Sequence, residues 1–243
     1  MSELNPIIGS NIDLLTRRFE QIAHNLANVN TAGFKRYTSH FMQVLTDQLG
    51  QEGQPPSAEL TVKEGIDFSQ AHLDHTGRNL DLAIVGRGFF ILETPSGPLY
   101  TRHGIFYLNQ NGQITDSQGR ILAGEAGPIV VPLGMDPTKI QVASDGTISV
   151  GQTKLGRIRI ADFGDQQGRL IPAGDCCFAA PDNLAPISSQ EAQVKQGFLE
   201  ASNVQAIQEL VDMITVSRLY ETNMRFLTAN RDTSKSIIDV AMG

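Results

Sequence analysis

Phe198-Leu199-Glu200-Ala201-Ser202-Asn203-Val204-Gln205 opens a stretch that runs to Met242 without a single Gly or Pro. The chain holds 23 Gly and 11 Pro elsewhere, so this continuity predicts a helix. Ser202 and Gln205 stand three apart, the spacing at which a hydroxyl and a Gln amide exchange bonds with the backbone at a helix start. Two apolar rows follow at spacings of three and four. Val204, Ile207, Val211 and Ile214 form one, and Leu210, Met213, Tyr220, Met224 and Leu227 the other. At about 1.5 Å per residue the helix would span roughly 55 Å, and such a length needs a partner.

The opposite end of the chain supplies one. Ile8, Ile12, Leu15, Phe19, Ile22, Leu26 and Val29 recur at 4-3-4-3-4-3, a heptad seam with no missing position. Asn5-Pro6 is a helix start and Gly33 a stop. The flanking Gly9, Thr16, Ala23 and Asn25 are small or neutral, where a two-stranded coil usually carries opposed charges. A shoulder of this kind suits contact with several helices at once.

Between the two ends the texture changes. From Asn79 short apolar runs alternate with turns: Leu80-Asp81-Leu82-Ala83-Ile84, then Gly86-Arg87-Gly88, then Phe89-Phe90-Ile91-Leu92. Asn111-Gly112 and Asp145-Gly146 are tight-turn pairs. Sixteen of the 23 Gly fall between residues 76 and 185, a turn density that predicts an all-β domain. The expected fold class is therefore α+β, with long terminal helices forming a coiled-coil-like assembly domain around a central β domain. The expected divisions are an assembly helix over 1–36, an extended linker over 37–75, the β domain over 76–185, and a linker with the second helix over 186–243. Gly50 to Ser57 has loop composition, and Pro181 to Gln193 is a connector.

Composition excludes several functions. The formal net charge is −7 and no Lys/Arg run occurs, which argues against a nucleic-acid partner. Trp is absent, so a base-stacking platform is not expected. No span approaches the ~18–20 apolar residues of a membrane helix, and membrane insertion is not expected. Glu3 and Asp13 occupy the region where a secretory signal would carry a basic start, so any export is expected to leave no cleaved signal peptide. Cys176 and Cys177 are adjacent and alone, and read as small apolar residues of a strand.

The candidate chemistry is thin. Gly86-Arg87-Gly88 resembles part of a phosphate loop, but a β-type run follows where a helix N-terminus is required. His72 and His75 lack a third ligand and a nearby general base, and read as exposed histidines. No G-x-S-x-G occurs. Neither an enzyme nor a cofactor or metal is expected. A secreted adhesin with a coiled-coil stalk is the competing class, and it would want clustered aromatics that a 6% aromatic chain hardly supplies.

One stretch remains. Asn25-Leu26-Ala27-Asn28 with Thr31 and Gly33-Phe34-Lys35 puts poor helix formers into an unbroken seam. It resembles the signature of the flagellar axial proteins, the rod, hook and hook-associated family. Gly197 to Val204, which contains Ser202, Asn203 and Val204, resembles the second signature of that family. Asp81 to Ile84, Gly86 to Phe90 and Tyr100-Thr101-Arg102 resemble a third. Gln205 departs from the Asn usual there. Gly124 to Ile129 and Ser144 to Ser149 look most like proximal-rod members; distal-rod members come next, and hook proteins usually carry a further outer domain. The resemblance implies a structural subunit of the basal-body rod in the periplasm. It would assemble with other rod subunits through the terminal helices to carry torque, after passage through the flagellar type III export apparatus.

Overall fold

A computed structural model describes residues 4–45, 58–132, 134–188 and 192–242. The loop expected over Gly50–Ser57, residues 189–191 of the Pro181–Gln193 connector and the side chain of Ile8 lie outside the described residues. Among the described residues, nineteen strands stand against two α-helices, α1 (Leu4–Ala27) and α2 (Ala206–Met242). The expectation of an α+β chain built on a coiled-coil-like helical domain is corrected by this count and by burial. A coiled coil buries its a and d positions along the whole seam. Here Ile22 is the only buried member of the N-terminal seam among the described side chains, Phe19 is exposed, and Ile207 is 81% exposed. The fold is mostly β.

Helix limits also differ from the sequence reading. α2 begins at Ala206, after Ser202-Asn203-Val204-Gln205 rather than with it. The Asn203 side chain is bonded to the Arg36 amide and the Asp67 carbonyl instead of the helix start. α1 ends at Ala27, which leaves Val29 in the turn beyond it.

The chain divides into two compact units. The first contains Met1–Ala27, Tyr37–Ile66 and Val204–Gly243. In it α1 packs on α2, and Ile22, Val204 and Val216 are its buried apolar side chains among those described. In the same unit β1 (Tyr37–Leu45) and β2 (Ala58–Ile66) pair antiparallel, in unbroken register from Tyr37↔Ile66 to Leu45↔Ala58. Tyr, Phe, Val and Thr in β1 and Thr and Val in β2 suit a pleated strand better than a helix.

The second unit contains Asn28–Arg36 and Asp67–Asn203. Its strands include β3 (Leu73–His75), β4 (Leu82–Val85), β5 (Phe89–Thr94) and β6 (Gly97–Thr101). β5 and β6 pair as a hairpin at the middle of a ten-stranded sheet, with Ile121–Gly124 beyond β5 and Cys177–Ala179 beyond β6. A three-stranded sheet, Ile140–Val142, Thr147–Val150 and Thr153–Arg157, closes the core. Leu82, Phe90, Leu92, Phe106, Ile114, Leu122 and Ile148 are essentially inaccessible there. Near the end of this unit the chain returns along its own start. Gln193–Gln196 pairs with β4 and Phe198–Glu200 pairs with β3, both antiparallel. That return brings Glu200 beside residues far away in sequence.

Candidate functional site

Charged side chains are rarely fully buried unless paired. The second unit buries three of them together. Glu200 ends a short apolar strand and its side chain is 0% exposed, as is that of Lys35, while Arg102 retains 4%. Lys35 Nζ donates to Glu200 Oε1 at 2.7 Å and to the carbonyl of Ser69 at 2.7 Å. Arg102 Nη1 donates to Glu200 Oε2 at 3.1 Å, and Nη2 donates to the Gly86 carbonyl at 2.7 Å. The Ala71 amide adds a further bond to Glu200 Oε1 at 3.0 Å. One carboxylate thus serves two cations. Burial drives the Lys35 ammonium below its ordinary range, and the Glu200 charge opposes that shift; the Arg102 guanidinium feels the same two influences.

Local backbone sets these positions. Gly33 has φ +68°, and a Cβ there would stand 2.5 Å from the Arg102 carbonyl carbon. Only Gly allows the chain to pass so close in that conformation. The Gly33 amide donates to the Glu200 carbonyl at 2.7 Å, which places Lys35 two residues on at the carboxylate. Phe34 is buried, and the Arg102 guanidinium lies 5.4 Å from the Phe89 ring centroid. Gly86, for which the sequence argued against a phosphate loop, offers its carbonyl to Arg102.

Two asparagines, one in each unit, bond to backbone of their own unit. In the second unit, Asn203 Oδ1 accepts the Arg36 amide at 2.7 Å, and Asn203 Nδ2 donates to the Asp67 carbonyl at 2.7 Å. The Asp67 amide donates to the Arg36 carbonyl at 2.9 Å. In the first unit, buried Asn25 exchanges two 2.9 Å bonds with the backbone of Tyr37, and its Nδ2 lies 3.3 Å from Glu209 Oε2. Each amide behaves as a short piece of strand, offering one donor and one acceptor.

A cleft elsewhere in the second unit is walled by Thr31, His103, Asp116, Arg120, Cys176 and Cys177. Burial raises the Cys176 thiol to about 11 and lowers the His103 imidazole. Such a thiol is a poor nucleophile. Cys177 begins a strand, as read from sequence, whereas Cys176 sits in the preceding turn at φ +56°. His72 and His75 are exposed, and no group of three ligands for a metal occurs among the described residues.

Comparison with known proteins fits these segments to one family. Residues 83–150 match the flagellar hook protein FlgE/F/G D1 domain, and residues 195–240 match the flagellar basal body rod FlgEFG protein C-terminal domain. The flagellar basal-body rod protein FlgG of Agrobacterium fabrum is 32% identical over 257 residues, covering 96% of each chain. This chain belongs to the flagellar basal-body rod protein family. The rod protein FlgF of Caulobacter vibrioides is equally similar, 32% identical over 93% of this chain and 92% of its own. FlgF of Rhizobium meliloti is 30% identical over 94% and 91%. Arg102 of our rod protein falls in the first matched segment and Glu200 and Asn203 in the second, while Lys35 lies outside both.

The signature residues of this rod protein fall into two groups. Gly33, Phe34, Lys35, Asn203 and Ser202 surround the charge cluster or adjoin it, and Thr31 Oγ1 bonds Asn28 Oδ1 at 3.2 Å. Asn25 and Val204 are buried in the first unit, Leu26 is half-buried there and Ala27 is exposed. The expected assembly rows are mostly open. Leu210, Val211, Ile214, Tyr220 and Met224 are exposed with Ile207, whereas Ile12, Leu15, Met213 and Leu227 are half-buried. Glu200 and Arg102 stood within the quoted signatures, yet their pairing was not anticipated. Their signal was a lone charge in a short strand segment, Leu199-Glu200-Ala201 and Tyr100-Thr101-Arg102, which asks for a buried partner.

Proposed function

We propose that this rod protein is a proximal-rod subunit that assembles through the apolar faces of its helices and acts as a load-bearing part rather than a catalyst. The supporting observation is the exposure of Ile207, Leu210, Val211, Ile214, Leu219, Tyr220, Met224 and Phe226 on a single helix. Ile207, Leu210, Val211 and Ile214, at spacings of three and four, share one side of the helix, and an exposed apolar row of this kind marks an interaction site. Such a patch meeting a different, complementary surface of the next subunit, head to tail and without closing, gives a filament. Membership of the rod family makes neighbouring rod subunits the natural occupants.

The proximal position rests on Gly124 to Ile129 and Ser144 to Ser149, since relatives of both rod types are equally similar overall. Passage through the flagellar type III apparatus, without a cleaved signal, belongs to the same reading. The deciding experiment replaces Ile207 and Ile214 together by Asp. Both side chains are more than half exposed, so the isolated chain should melt as the wild type does. Rods in a strain lacking the native gene should nevertheless fail to form. Normal rods would remove the helix faces from the assembly mechanism. Labelled basal bodies imaged by electron cryo-microscopy place the subunit as proximal or distal.

A further inference from the structure

The chain passes between its two units four times, after Ala27, Arg36, Ile66 and Asn203. Three of the residues that end or begin second-unit segments at these passages are Arg36, Asp67 and Asn203. They are the same three residues that the Asn203 side chain and the Arg36–Asp67 backbone bond join into a closed ring, with lengths of 2.7, 2.7 and 2.9 Å. We infer that Asn203 is a tie-point: its amide fuses three separate chain crossings into one mechanical element. The inference rests on the reading of the chain as a load-bearing rod subunit.

Without the ring, the backbone at Arg36, Asp67 and Asn203 would keep separate φ and ψ freedom at each residue. A ring of three hydrogen bonds removes those separate rotations at one place. Pull on residues 37–66 reaches Arg36 and Asp67, and pull on α2 reaches Asn203, so both arrive at one side chain. The tie has a rigid base. Glu200, three residues before Asn203, is bonded to Lys35 next to Arg36 and to Ala71. Asn203 Nδ2 also lies 3.2 Å from Ser69 Oγ. Neither Asp nor Ala reproduces a ring that needs one donor and one acceptor on the same planar group. Asn203 is therefore a positioning residue.

Amide hydrogen exchange on the full-length chain tests this. Asn203→Ala should speed exchange at Arg36 and Asp67 at least ten-fold, with the β5 and β6 amides unchanged, because the opening is local. Asn203→Asp, which keeps the acceptor, should retain protection at Arg36 while Asp67 loosens. Unchanged exchange at Arg36 and Asp67 in the Ala variant would overturn the inference. So would acceleration spread evenly over β5 and β6, which marks Asn203 as an ordinary stabilising residue. A second arm uses swimming. The Ala variant should assemble, yet its speed should fall more steeply with viscosity than the wild type's, and an identical viscosity dependence counts against the tie-point. Failure of the wild-type gene itself to restore motility would instead strike at the rod reading and leave the exchange result standing.

Discussion

Glu200 Oε1 lies 2.7 Å from Lys35 Nζ, though the two residues are 165 positions apart in sequence, and neither side chain is open to solvent. Arg102 reaches the other carboxylate oxygen at 3.1 Å. The pair closes the second unit near its two ends, and its removal has unequal consequences on the two sides.

Replacing Glu200 by Gln leaves two buried cations without their anion, a loss of about 3–5 kcal/mol. Lys35→Met removes one cation and leaves Glu200 with Arg102 and the Ala71 amide, so it should cost roughly 1–3 kcal/mol. The double variant should cost less than the sum of the singles by about 1 kcal/mol or more, since both singles break one interaction. Denaturant unfolding of the four proteins measures the cycle. Strict additivity would show that Lys35 and Glu200 do not act together.

Gly33→Ala should be among the harshest small substitutions in the chain. The position has φ +68°, and the new methyl would meet Arg102 backbone at 2.5 Å. Left-handed strain of about 1 kcal/mol adds to overpacking of about 1–3 kcal/mol. Gly9, where an added Cβ meets nothing within 4 Å, is the control and should tolerate Ala. Melting temperatures of the two variants decide it.

His103 gives the second unit an acid limit. Burial, partly opposed by Asp116, holds its imidazole below the ordinary 6.5. Below that pH the unfolded chain binds a proton that the folded chain does not, so stability falls as pH falls from about 6.5 toward the folded value. His103→Gln should flatten this part of the profile. The measurement is the unfolding midpoint of both proteins from neutral pH to about 5, and parallel profiles would remove His103 from the account.

Leu26 and Arg17 separate the buried from the open side of α1. Leu26 is half-buried in the first unit and Arg17 is exposed. Leu26→Asp puts a carboxylate among apolar contacts at a cost of several kcal/mol, repeated in every subunit of a filament. Arg17→Ala should change stability by no more than about 0.5 kcal/mol. Rod assembly should be lost in the first and kept in the second, with export of each variant followed separately. Rods built from exported Leu26→Asp chains would exclude that end of the helix from assembly.

The periodic parts of the protein were legible in its sequence. Apolar residues at spacings of three and four predict helices at both ends, where α1 and α2 stand, because a helix repeats every 3.6 residues whatever surrounds it. Gly-marked turns such as Asn111-Gly112 and Asp145-Gly146 were readable for a similar reason, since φ is +74° and +84° at the two glycines and the demand is local. The resemblance of Asn25 to Lys35 and of Gly197 to Val204 to axial-protein signatures pointed to the family that the comparisons identify.

Burial and pairing were decided only in three dimensions. An unbroken heptad row suggested a coiled coil, yet the row buries Ile22 and leaves Phe19 exposed, because burial depends on what packs opposite and not on period. Tyr37–Leu45 and Ala58–Ile66 carried no decisive period, and their register came from pairing between strands. Lys35, Arg102 and Glu200 are separated by 67 and 98 residues, and no local rule relates them. Their meeting follows from the antiparallel return of Phe198–Glu200 along β3, a non-local pairing. The side chains that form α2 were thus specified by nearest neighbours along the helix. The charge that closes the second unit was specified by a partner that only the folded sheet brings near.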